Sequence, residues 1–97
     1  MASGLGTATL SFGSHPGLNE TSVAVSGQSA ISSTSSVEAF VMASDSTSSH
    51  NSNDHRYFNH LVGLTCSQPS SGVGFTIFAN SEHKFTGDFL VHWVWSD

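Results

Sequence analysis

The stretch Phe89-Leu90-Val91-His92-Trp93-Val94-Trp95 is apolar on both of its alternating sides. In an extended chain, Phe89, Val91, Trp93 and Trp95 fall on one face and Leu90, His92 and Val94 on the other. A strand with two such faces is either central in a sandwich, or buries one face in its own core and sets the other against another subunit. Both readings require an all-β fold around residues 88–95.

Moving upstream, the same period of two recurs, and helical periodicity is nowhere sustained. Val73-Gly74-Phe75-Thr76-Ile77-Phe78-Ala79 predicts a strand with Val73, Phe75, Ile77 and Ala79 inward, separated from the last strand by a polar connection, Asn80 to Gly87. Gln68-Pro69-Ser70-Ser71-Gly72 has the composition of a turn. From Tyr57 to Cys66, Phe58, His60, Val62, Leu64 and Cys66 share one face. Val37 to Met42 predicts another strand, apolar on both sides apart from Glu38. Thr21 to Ser26 and Thr7 to Phe12 predict two more, the latter with Ala8, Leu10 and Phe12 on one face. Residues 1–6 are expected to form an N-terminal arm. The run SDSTSSHNSNDHR at 44–56 contains no apolar residue and is expected to be a long polar surface loop. Six short strands separated by Gly- and Ser-containing turns predict one antiparallel β-sandwich domain over residues 1–97.

Composition narrows the function. Charged residues make up only 9% of the chain, while 20 Ser and 8 Thr take their place. Arg56 and Lys84 are the only cations against 7 acidic residues, for a formal charge of -5. Each neutralised phosphate needs a cation, so nucleic acid is excluded as a partner. Cys66 is the single cysteine and cannot form an internal disulfide. No basic, long apolar leader opens the chain, and no apolar run approaches the length that spans a bilayer. The expectation is synthesis and folding in a cytoplasm, without membrane insertion.

The segment Gly72 to Ala79, a short polar gap, and Phe89-Leu90-Val91-His92-Trp93-Val94-Trp95 together resemble the C-terminal part of small proteins encoded by tailed bacteriophages. In those proteins a G-x-G-F-T-I-Y/F-A strand precedes an F-x-V-x-W-V-W ending. Val25-Ser26-Gly27-Gln28, Val37-Glu38-Ala39-Phe40 and Met42-Ala43-Ser44-Asp45-Ser46-Thr47 look like the same group's upstream segments, so the likeness spans about residues 7–96. It implies a virion structural protein, exposed on a fibre, tail or head. A second, weaker likeness is to H-type lectins, which are trimeric six-stranded sandwiches with a G-F-x-I strand and a late aromatic strand. That likeness implies a jelly-roll or H-type-lectin-like sandwich and, as the alternative function, a stand-alone carbohydrate-binding lectin. No sugar-contacting residue of that family transfers by position.

The chemistry-bearing residues form few patterns. There is no G-x-S-x-G elbow, no protease-like setting for Cys66 and no paired carboxylates at a convergent spacing, so no catalytic residue is assigned and no enzyme is expected. Asp45, His50, Asp54 and His55 lie close together in the polar run, but without the spacing of a zinc or calcium site; neither a metal nor a cofactor is expected. With Tyr57 as a ring face, these residues are the candidate ligand-binding set, suited by their mixed donors and acceptors to a host surface glycan. Phe40, Met42, Phe78, Leu90, His92 and Val94 exceed what one thin core can hide and are the expected subunit interface. The expected partners are therefore other copies of the chain, with a trimer favoured, and other virion proteins.

Overall fold

The computed structural model describes residues 2–14, 16–41, 55, 58 and 61–97. Among the described residues six strands build the fold: β1 (Ser3–Ser11), β2 (Leu18–Val25), β3 (Ser36–Phe40), β4 (Val62–Cys66), β5 (Phe75–Phe85) and β6 (Asp88–Ser96). They form two three-stranded antiparallel sheets, ordered β1-β6-β3 and β2-β5-β4. The aromatic β6 is thus the central strand of one sheet, and β5 is the central strand of the other. The two faces that meet form one core, so the molecule is an all-β sandwich. Thr86 and Gly87 carry the chain from β5 in one sheet to β6 in the other. Gly87 donates its N–H to the Gly13 carbonyl at 2.9 Å and accepts from Phe12 at 2.9 Å, which ties this crossing to the end of β1.

The inner face of β6 is the one read from its alternation: Phe89, Val91, Trp93 and Trp95 are all buried. β1 meets it with a graded series of side chains. Gly4 pairs with Trp95, Gly6 with Trp93, Ala8 with Val91 and Leu10 with Phe89. The small residues stand where the indoles need room, since the Trp95 ring lies over Gly4 and the Trp93 ring over Gly6. Trp95 donates from Nε1 to Gln28 Oε1 at 3.0 Å, so one indole N–H is satisfied within the chain. Residues 3–6 therefore belong to β1, in place of the expected arm. Their inward positions carry no apolar bulk because the opposite strand supplies it.

The far end of the core is an aromatic cluster. Phe58 stacks on Phe89 with ring centres 4.2 Å apart, and Phe12 and Phe85 pack edgewise around them. Phe85 closes β5, which runs through most of the segment expected as a polar connection. The backbone at His55, Phe58 and Leu61 is helical, and the fourth strand begins only at Val62. Phe58 still reaches the core, but from a helical turn four positions before β4, where side chains do not follow the period of two. Val73 also departs from expectation: it is 55% exposed, because the Ser70–Gly74 turn ends the alternation before β5 begins. At the other turn, Gly17 adopts φ 83°, and a Cβ there would strike the Phe85 carbonyl.

Candidate functional site

The outer face of the β1-β6-β3 sheet carries the densest exposed apolar surface among the described residues. Register places Leu5, Val94 and Glu38 in one cross-strand row, Thr7, His92 and Phe40 in the next, and Thr9 with Leu90 beyond them. Leu5 is 81% exposed and Phe40 is 41% exposed; Leu90, His92 and Val94 are half-buried between their neighbours. A groove of about 430 Å³ runs over Leu5, Phe40, His92 and Val94. The Phe40 and His92 rings meet edge to face at 5.6 Å. His92 Nδ1 is sealed from water with no hydrogen-bond partner among the described residues.

Four of the six expected interface residues therefore share one surface: Phe40, Leu90, His92 and Val94. Phe78 does not join them. It points outward from the centre of the opposite sheet, between Ser22 and Thr65, because β5 belongs to the other layer. Met42 lies outside the described residues. Leu5 was missed by sequence reasoning, although the alternation of Gly4, Gly6, Ala8 and Leu10 with Leu5, Thr7 and Thr9 carries the strand signal back to it.

Of the candidate ligand-binding set, Asp45, His50, Asp54 and Tyr57 lie outside the described residues. His55 does not sit on a surface loop. It is fully buried, packs edgewise on Phe89 at 5.4 Å, and accepts the Leu90 N–H through Nε2 at 2.9 Å. The reason is visible in the ladder: β3 ends opposite His92, and His55 takes the backbone donor two residues farther along β6. A buried N–H without an acceptor would cost about 1–3 kcal/mol. His55 therefore completes the sheet, which removes it from the ligand-binding set.

No group of three or more His, Cys, Asp or Glu side chains among the described residues could hold a metal ion. Asp97 is committed to structure: its carboxylate accepts from Ser35 Oγ at 2.9 Å and from the Ala2 N–H at 3.0 Å. Cys66 is half-buried at the end of β4. Burial pushes its thiol pKa up, and the Glu38 carboxylate adds to the rise. The thiolate is the reactive form, so Cys66 in the native protein is expected to react with a disulfide reagent near pH 8 more slowly than the same residue in denaturant. Because the folded-state value is raised, the associated stability is present below the ordinary thiol pKa of about 8.5 and is lost as pH climbs beyond it. Equal labelling rates in the native and denatured chain would contradict this placement.

Comparison with known proteins finds no matching family model, no matching curated protein and no matching solved structure. Among the described residues, no helix is long and apolar enough to cross a membrane.

Proposed function

We propose that the chain is a non-enzymatic structural component of a tailed-phage particle, assembled with copies of itself and with other virion proteins. The observation that carries this reading is the apolar outer face of the β1-β6-β3 sheet, with Leu5, Phe40 and Val94 around one groove. The phage likeness of the strand motifs supplies the context. The sparse charge of the chain agrees with it, since few ionic groups need to shed water when copies pack together.

Magnitude decides what kind of contact this face makes. Strands of nine, nine and five residues, at about 3.4 Å per residue and about 4.8 Å spacing, give a footprint of about 375 Å² per partner. A standard stable interface takes about 800 Å² from each side. The face alone therefore supports weak association of the isolated chain, and permanence comes from several contacts made at once in a particle. A two-fold pair needs only this face against itself, whereas the proposed trimer needs it to meet a second surface of the next copy.

Sedimentation of the isolated protein from micromolar to millimolar concentration should show mass rising with concentration. Leu5→Asp with Val94→Asp should abolish that rise while leaving the β-type circular dichroism spectrum intact. A monomer at every concentration, or association unaffected by the two substitutions, would overturn the assembly reading. Absence of the chain from purified particles of the phage that encodes it would overturn the virion assignment.

A further inference from the structure

The outer face of the second sheet differs in chemistry from the first. At its centre Phe78 is 42% exposed, although a lone aromatic ring on a three-stranded sheet would be covered readily by longer neighbours. Its neighbours are short and polar instead. Register sets Ser22 on one side and Thr65 on the other. The next cross-strand row is Glu20, Asn80 and Gly63. A shallow cleft of about 380 Å³ lies over Phe78, Asn80, Ser22 and Glu20. Gly63 leaves it open at one end: a Cβ there would meet nothing closer than the Asn80 carbonyl at 3.9 Å.

The polar groups are arranged to accept hydrogen bonds. Turned so that its oxygen avoids the Glu20 carboxylate, the Asn80 amide nitrogen donates to Glu20 Oε2 at 3.2 Å and to the Ala79 carbonyl at 3.2 Å. That use of the amide hydrogens leaves Asn80 Oδ1 and the second Glu20 oxygen as acceptors, beside the Ser22 and Thr65 hydroxyls. Among the described residues no cation lines the cleft, and Glu20 would repel an anionic ligand. An apolar side chain could cover the ring, but would bury the acceptors unpaired.

We infer that this face is a binding platform for a neutral saccharide, with Phe78 stacking on the C–H face of one pyranose ring and Glu20 and Asn80 accepting from its hydroxyls. The rows along β5 are about 7 Å apart, the reach of a ring hydroxyl plus one hydrogen bond. Two features of a sugar are met at once: an apolar ring face and donors at the ring edge in nearly the same plane. One ring and a few exposed hydrogen bonds give weak binding per copy, which becomes effective when many copies are displayed together. In that respect alone the inference rests on the assembly proposed above. The site itself lies wholly within one chain, on the sheet opposite the association face.

The test is a titration of the isotopically labelled protein, followed by NMR, with the methyl glycosides of glucose, galactose and mannose and with glucuronate as a charged control. Expected is a saturable shift of the backbone amides of Ser22, Thr65, Phe78 and Asn80 with at least one neutral glycoside, and weaker binding of glucuronate. Phe78→Ala should reduce affinity by about tenfold or more. Gly63→Leu, which fills open space on a strand without backbone strain, should block binding while preserving the fold. No shift with any glycoside, shifts confined to other surfaces, or unchanged affinity in Phe78→Ala would overturn the inference. Sedimentation of Phe78→Ala should match the unsubstituted protein, so failure here is distinguishable from failure of the assembly reading.

Discussion

Phe89→Ala should cost about 3–5 kcal/mol of folding stability, the range for truncating a buried phenylalanine. Phe89 is 2% exposed and lies at the middle of the aromatic end of the core, stacked on Phe58 at 4.2 Å and edgewise to Phe12 at 5.9 Å and Phe85 at 5.8 Å. His55 also rests on its ring, so the hydrogen bond that His55 accepts from Leu90 is loosened with it. Collapse of the cavity is resisted on two sides, because Phe85 is fixed at the end of β5 in the opposite sheet and Phe12, just past β1, is tied by its N–H to the Gly87 carbonyl. A small domain holds stability near the lower end of the usual range of about 5–15 kcal/mol, so the variant should be largely unfolded at modest denaturant concentration. Phe78→Ala provides the comparison: the same chemical change on the outer face should cost under about 1 kcal/mol. Urea unfolding followed by tryptophan fluorescence checks both, and similar midpoints for the two variants would contradict this division between core and surface.

Gly6→Val should destabilise the protein by about 2 kcal/mol, against the direction that strand propensity gives. Valine in place of glycine on a strand is favourable by about 1 kcal/mol from propensity and reduced chain entropy. The position is closed to it by packing. A Cβ on Gly6 would lie 2.5 Å from Trp93 Cζ2 and 2.9 Å from Cε2. The indole cannot swing aside freely, because its other side meets Phe75 edgewise at 5.5 Å. Overpacking of this kind costs about 1–3 kcal/mol by itself, and partial ejection of the ring adds lost burial. Packing therefore outweighs propensity. Gly63→Val, on an open outward position of β4, should show the propensity gain without the penalty. Thermal unfolding of the two variants should move in opposite directions, and a raised midpoint for Gly6→Val would show that β1 yields to the indole at little cost.

Strand positions and their inner faces were legible because alternation is a local property: Phe89, Val91, Trp93 and Trp95, or Phe75, Ile77 and Ala79, declare a buried side within seven residues. The surplus of apolar residues on the other side of β6 was legible in the same way, and with it the expectation that Leu90, His92 and Val94 face outward. Pairing is not local. That β6 lies between β1 and β3, with β5 in the opposite layer, separates Phe78 from Phe40 and turns one expected interface into two chemically different faces. Gly4 and Gly6 look like arm residues until the indoles of Trp95 and Trp93 are set against them, since only the opposite strand explains their small size. His55 belongs by composition to a polar run, and its neighbours in the chain give no reason to bury it. What draws it inward is an unpaired N–H at Leu90, thirty-five positions away, left by the early end of β3. The sequence by itself determined the strands and the faces they bury, because side-chain alternation is written within each segment. The tertiary structure alone decided which faces lie together and which polar groups complete them, because those depend on partners far apart in the chain.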